Sequence, residues 1–192
     1  LNYKGILYAG LMKTERGIYF LEFNCRFGDP ETQVLLNLLD SDLFEIMKKC
    51  INGEEVNCSW KTGECMTLVL SHLEYPRGKS KEPFLVDLEN ICGDIKIYYG
   101  NIQRQGDNII SNGGRIVSLT SYSGSHYKNF INVYDGARNI HYKDKYYRRD
   151  IGLELFKKSN KKLKIAILGS TKGTSVQKLL DNYKDLNLDI EV

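Results

Sequence analysis

The run Ile18-Tyr-Phe-Leu-Glu-Phe-Asn24, followed by Cys25 and Arg26, carries the side chains best suited to chemistry. Its β-branched and aromatic residues predict a strand, and along a strand successive side chains alternate faces. Glu22, Asn24 and Arg26 then project one way with Ile18 and Phe20, while Leu21, Phe23 and Cys25 project the other. A strand apolar on both faces that turns polar on one face at its C-terminal end is expected to be buried along most of its length. At that end it should open into a cleft. A carboxylate and an amide oxygen two positions apart, roughly 6 to 7 Å between Cα atoms, suit a hard divalent cation. Such an ion keeps several waters and bridges phosphate oxygens, as Mg²⁺ does. Arg26 adds a planar fork for a phosphate or carboxylate. The same residues would also serve as ordinary charges on an exposed hairpin edge, and spacing alone leaves both readings open.

Other groups stand near that strand or farther along. Asp29 is placed to cap a helix with Pro30 at its first position, running through Leu39, with Gln33 one turn in. Asn112-Gly-Gly-Arg115 couples a flexible turn to a guanidinium; such turns can hold anions, although a plain hairpin turn is the commoner use. In Leu168-Gly-Ser-Thr-Lys-Gly-Thr-Ser175 a strand passes through a small-residue loop into a helix, where free N–H groups and the helix dipole converge on an anion. That loop is neither a Walker A motif nor the three-glycine dinucleotide fingerprint. Cys58, Cys65 and His72 stand at spacings that match no common zinc pattern, so thiol packing outranks a zinc site. His72, His126 and His141 lie in three different predicted elements and form no hydrolytic triad. Arg148, Arg149 and Asp150 could reach a phosphate or pair with one another and stay unassigned.

The elements that must position these groups follow from pattern and punctuation. Residues 5–12 and 18–24 are strand-like on either side of a polar turn with Gly17, which predicts a β-hairpin. Ser41 is placed to cap a second helix ending near Asn52-Gly53. From about Cys65 short β-rich runs follow at 65–71, 94–99, 108–110 and 114–120. Residues 125–140 then repeat apolar side chains at helical intervals, as a helix packed on a sheet does. Phe156 to Lys162 is charged and aperiodic and reads as a linker, and residues 163–192 read as an opening β-α-β unit.

The 192 residues are 42% hydrophobic and 27% charged, which supports a packed core and argues against disorder. Net charge is only +3, so sequence-independent nucleic-acid binding is not favoured. No apolar run approaches the roughly 18 residues of a membrane span. Five cysteines without a Cys-x-x-Cys pair point to reduced thiols, and the chain reads as cytoplasmic.

Leu21-Glu-Phe-Asn-Cys-Arg-Phe-Gly-Asp-Pro-Glu-Thr-Gln33 resembles the signature of the phosphoribosylamine–glycine ligases, ATP-grasp enzymes of purine biosynthesis. Tyr8-Ala-Gly-Leu-Met12, Asn112-Gly-Gly-Arg115 and Tyr147-Arg-Arg-Asp-Ile-Gly152 resemble the same family in its order, over roughly residues 1 to 155. The chain departs from it where the family's Gly-Tyr-Pro-Gly turn stands as Glu74-Tyr-Pro-Arg-Gly78 and its His-Ala-Gly-Thr run as Tyr98-Tyr-Gly-Asn101. The tail resembles the first strand and phosphate loop of phosphoribosylglycinamide formyltransferases.

The resemblance implies an α+β chain: the C-terminal half of an ATP-grasp domain, a small β-rich C-terminal domain, and a truncated Rossmann-like β-α-β unit. Expected boundaries are 1–62 and 63–156 for the ligase parts, 157–162 for a linker and 163–192 for the formyltransferase-like start. Implied metal ligands for Mg²⁺ or Mn²⁺ under the ATP phosphates are Glu22 and Asn24. Arg26 would stabilise the transferring phosphoryl group, Asp29 would orient an amine, and Gln33 would face the substrate. Thr171, Lys172, Gly173, Thr174 and Ser175 would cradle the phosphate of glycinamide ribonucleotide. Partners would be ATP, glycine and 5-phosphoribosylamine. The family's upstream half-site would precede Leu1, so the chain is expected to be a fragment of a bifunctional protein, inactive alone. The alternatives are a non-catalytic metal- or phosphate-binding remnant or partner subunit, and an ATP-grasp ligase for another carboxylate and amine.

Overall fold

A computed structural model describes residues 3–78, 80–88, 91 and 93–158. The expected β-α-β unit, its phosphate loop at Thr171–Ser175 and most of the expected linker lie outside the described residues. The chain divides into one compact unit of Leu1–Arg149 and another of Asp150–Val192. Of the second, the described part holds one short helix, α4 (Leu153–Lys158).

The first unit opens with the expected hairpin, β1 (Tyr8–Thr14) and β2 (Gly17–Asn24), paired antiparallel with Gly10 opposite Glu22 and an irregularity between Gly10 and Leu11. Two helices follow, α1 (Glu31–Leu38) and α2 (Leu43–Asn52). Gly53 closes α2 in the left-handed conformation at φ 75°, as its sequence position foretells. The N-caps differ from expectation. Pro30, not Asp29, occupies the N-cap of α1, and no side chain caps that end. Asp42, not Ser41, caps α2 through Glu45 N–H. Ser41 instead bonds Ser59, at the junction that carries the chain back toward the main sheet.

That sheet has strand order β10 (Lys145–Tyr146), β3 (Glu64–His72), β8 (Arg115–Ser123), β5 (Lys96–Tyr99). A second four-stranded sheet has the order β6 (Gln103–Gln105), β7 (Asn108–Ser111), β4 (Phe84–Asp87), β9 (His141–Tyr142). α3 (His126–Asn139) lies within the span expected of a helix, and Ser125 caps it, its hydroxyl accepting from Lys128 N–H.

The core forms around β8, which is central in its sheet and buried from Ile116 to Ser121. On one face Leu119 pairs with Leu68, and Ser121 Oγ bonds Asn129 Oδ1 of α3 at 3.1 Å. Phe130, Val133 and Ala137 of α3 are buried with them. On the opposite face Thr120 and Thr67 join hydroxyls at 2.8 Å, and α1 lies over the same side. Its Asn37, only 7% exposed, reaches β5 residues that pair with Thr120 and Ser118. A polar side chain is tolerated there because each of its groups finds a partner.

The expectation of a buried β2 is overturned. Every residue from Gly17 to Phe23 is exposed, Ile18 at 70% and Phe23 at 60%, because the ribbon has only two strands and no third element of the described residues covers it.

Candidate functional site

Asn24 Nδ2 lies 2.9 Å from Glu22 Oε1, so the two heads stand side by side at the end of β2, and neither is sealed in apolar packing. Opposite Glu22 stands Gly10; a Cβ there would come within 3.3 Å of Glu22 Cγ, so the glycine makes room for the carboxylate. A half-turn of the Asn24 amide exchanges Nδ2 for Oδ1 and sets two oxygens side by side. Oxygens about 3 Å apart match neighbouring corners of an octahedron with 2.0–2.1 Å bonds, the geometry Mg²⁺ demands. Among the described residues no group of three or more His, Cys, Asp or Glu could hold a metal. Cys58, Cys65 and His72 are thus not a zinc site, and the thiols of Cys25, Cys50, Cys58 and Cys65 are free. A two-oxygen site is incomplete by itself and fits an ion whose other ligands are waters and phosphates.

Arg26 departs from the alternation expected of it. The strand ends at Asn24 and residues 25–26 form a bend, so period-two logic no longer applies, and the guanidinium donates from Nη1 to Phe27 O at 2.7 Å. Sequence reasoning overlooked Tyr8 and Glu31. Tyr8 pairs with Asn24 across the hairpin, and its hydroxyl donates to Glu31 Oε1 at 3.0 Å. That hydrogen bond, then the Glu31 charge, raises the phenol's pKa above its usual value; Glu22 adds to the effect and Arg26 opposes it. Glu31 is three residues beyond Gly28, where a Cβ would strike its carboxylate. The pattern Gly-Asp-Pro-Glu could have flagged Glu31, but Tyr8 had no local signal.

Asp29 contributes to a different contact. Its Oδ2 lies 2.6 Å from Arg115 Nη2 while Arg115 Nη1 donates to Asp29 O at 3.1 Å, a two-point clasp between residues 86 apart in sequence. The Arg115 guanidinium also faces the Tyr75 ring, 6.0 Å from its centroid. Asn112-Gly-Gly-Arg115 is not a hairpin turn. It joins β7 of one sheet to β8 of the other, with Gly113 and Gly114 at φ 110° and 79°. Asn101 holds this turn, donating from Nδ2 to Asn112 Oδ1 at 2.8 Å and to Gly113 O. The three stretches that carry or depart from family motifs, around Tyr75, Tyr98–Asn101 and Asn112–Arg115, therefore meet. Beside them lies a cleft of about 330 Å³ lined by Asp29, Gln33, Tyr98, Asn101 and Arg115 among others.

Comparison with known proteins agrees with this architecture. The family model described as phosphoribosylglycinamide synthetase, C domain, matches residues 65–154, and that of the ATP-grasp (A) domain of the same synthetase matches residues 1–32. A phosphoribosylamine–glycine ligase of Fusobacterium nucleatum is 32% identical over 157 residues, covering 79% of this chain and 37% of that protein. The trifunctional purine biosynthetic protein adenosine-3 of Drosophila melanogaster is 34% identical and is matched along 100% of this chain, which spans 14% of it. The crystal structure of a Thermotoga maritima phosphoribosylamine–glycine ligase superposes with a TM-score of 0.62 at 26% identity, over 75% of this chain and 36% of that one. The chain thus spans little more than a third of the single-function ligases it matches. With motifs, fold and both domain models in agreement, the chain belongs to the phosphoribosylglycinamide synthetase family, comprising part of its ATP-grasp domain and its C domain.

Proposed function

We propose that this chain is part of an ATP-dependent ligase that joins glycine to 5-phosphoribosylamine in the cytoplasm, within a longer multifunctional purine-biosynthetic protein. Residues 1–62 serve as the end of the ATP-grasp domain and 63–156 as the C-terminal domain; 157–162 link them to a formyltransferase-like start at 163–192, where Thr171–Ser175 cradle a phosphate. Support comes from the relatives' names and from one observation above all: a carboxylate and an amide side by side at an open strand end, 2.9 Å apart.

In this reading Glu22 and Asn24 hold Mg²⁺ or Mn²⁺. Bound there, such an ion would supply charge neutralisation for the terminal phosphates of ATP. A glycine carboxylate oxygen attacks the γ-phosphorus, ADP leaves, and glycyl phosphate forms. The amine nitrogen of phosphoribosylamine then attacks the glycyl carbonyl carbon, phosphate leaves, and the nitrogen gives up a proton as the amide forms. These steps ask the protein for position and charge more than for covalent help. Arg26, released from Phe27 O, stabilises the transferring phosphoryl group in this reading. Asp29 and Gln33 face the amine substrate. Tyr8, through Glu31, positions the strand that carries the metal ligands.

Calorimetry of the chain with Mg·ATP tests the reading. Saturable binding that is lost in Glu22→Gln and Asn24→Ala supports it, whereas binding indifferent to both substitutions refutes it.

A further inference from the structure

His72 ends β3 with its side chain buried, the residue being only 2% exposed. Its ring stacks on Phe84 of β4, 5.3 Å between centroids, so it stands between the two four-stranded sheets. The two ring nitrogens are treated unequally. Nδ1 accepts from Glu74 N–H at 3.2 Å, which puts the imidazole's own proton on Nε2 and makes the ring neutral. Nε2 then finds no hydrogen-bond partner among the described residues, because Asp144 Oδ2 stands 3.6 Å away, beyond hydrogen-bond length. Glu74 belongs to the turn at 73–77, within the stretch where the chain departs from its family's motif. Leu73 N–H donates to Asp144 O at 2.9 Å and Tyr75 N–H to His72 O at 3.0 Å, which tie the start of that turn to its neighbours. Farther along the turn, the Tyr75 ring faces the Arg115 guanidinium.

A second proton can enter this imidazole only at Nδ1, where it meets the Glu74 N–H head on, two donors with no acceptor between them. The resulting charge would also sit in a buried site, which is costly unless paired. The surrounding groups do little to relieve it. Asp144 favours the charged ring, but its side chain is 49% exposed and screened by water. Lys145, the cross-strand partner of His72, carries a like charge and spends Nζ on Ala137 O and Ile140 O. Tyr142, stacked behind Phe84, directs its hydroxyl to Ser71 O, and the Glu74 carboxylate lies toward Gly78. Arg77 is exposed on the turn, and Arg115 is clasped by Asp29. We propose that His72 is an acid-operated latch. Neutral, its Nδ1 holds the Glu74 N–H and with it the 73–77 turn; protonated, it repels that N–H, and the turn lifts Tyr75 away from Arg115. The open turn takes up a proton that the latched turn excludes, so lowering the pH populates the open form. The latch depends on neither nucleotide nor metal and stands apart from the ligase reading.

The test is NMR of the 192-residue chain, followed from about pH 8 to pH 5, the range in which imidazoles titrate. At the alkaline end the ¹⁵N shifts of His72 should show Nδ1 bare and Nε2 protonated. As the pH falls, the Glu74 amide and Tyr75 ring signals should move in step with the His72 imidazole and not with those of His126 or His141. In His72→Asn, Oδ1 can accept the same N–H but does not titrate, so both signals should keep their alkaline positions throughout. The proposal is overturned by a proton on Nδ1 at the alkaline end, or by an imidazole that stays neutral at every pH at which the chain is folded. Protonation that leaves Glu74 and Tyr75 unmoved overturns it as well. So does the same movement in His72→Asn, which would assign the response to Asp144 or Glu74. Should that variant fail to fold, the wild-type co-titration decides by itself.

Discussion

Asn37 is the pin that joins α1 to the C-terminal sheet, and its worth can be estimated bond by bond. Nδ2 donates to Tyr98 Oη at 2.7 Å, a neutral contact worth about 1 kcal/mol net. Oδ1 accepts from Lys96 Nζ at 2.6 Å. A charge-assisted bond reaches about 1.5–3 kcal/mol, but Lys96 is exposed and regains water when the bond is lost, so about 1 kcal/mol is the fairer figure. Replacement by Leu also strands the Tyr98 hydroxyl, against which apolar burial at a site 7% exposed returns about 1 kcal/mol. Asn37→Leu should therefore destabilise the chain by about 2 kcal/mol, with the midpoint of urea unfolding shifted down. Tyr98→Phe should cost about 1 kcal/mol. Combined with Asn37→Leu, it should cost almost nothing more, giving a coupling near 1 kcal/mol, about the worth of the one bond they share, in a double-mutant cycle. Strictly additive losses would refute the pin.

Gly100→Ala places a Cβ 2.5 Å from Arg115 O, a backbone atom that cannot swing away, so it should cost about 1–3 kcal/mol in thermal unfolding; a neutral result would show that this turn has room to yield. Burial raises the Tyr142 pKa well above its usual value, with its hydroxyl donating to Ser71 O at 2.9 Å. The folded state thus holds a proton that the unfolded state loses. Stability from this group is complete below about pH 10 and declines as pH rises beyond it, and Tyr142→Phe should flatten that decline in unfolding curves. Finally, because the chain spans little more than a third of the ligases it matches, it should yield no ADP dependent on glycine and phosphoribosylamine; such turnover would contradict the assigned division of the site.

Much of this arrangement is legible in local pattern. The hairpin, α3 and the exit of α2 at Gly53 follow from period and glycine, which act over a few residues. The adjacency of Glu22 and Asn24 follows from strand alternation, and the same rule fails one step later at Arg26 because the strand has ended. Long-range partners leave no such trace. Asp29 has the local marks of an N-cap, but Arg115, 86 residues on, claims its carboxylate. Asn112–Arg115 has the composition of a hairpin turn, because nothing local distinguishes a turn within one sheet from a passage between two. The exposure of β2 runs against its pattern because apolar alternation reports what a strand could cover, not whether a covering element lies among the described residues.

Paramagnetic Mn²⁺ offers the most direct test of the proposal that Glu22 and Asn24 hold the cation. With ATP present, a substoichiometric amount should broaden the Asn24 side-chain amide and the Glu22 and Gly10 backbone NMR signals before any others, and Glu22→Gln should abolish the effect. Broadening centred elsewhere, or unchanged in Glu22→Gln, would contradict the assignment of those two side chains as the cation's protein ligands.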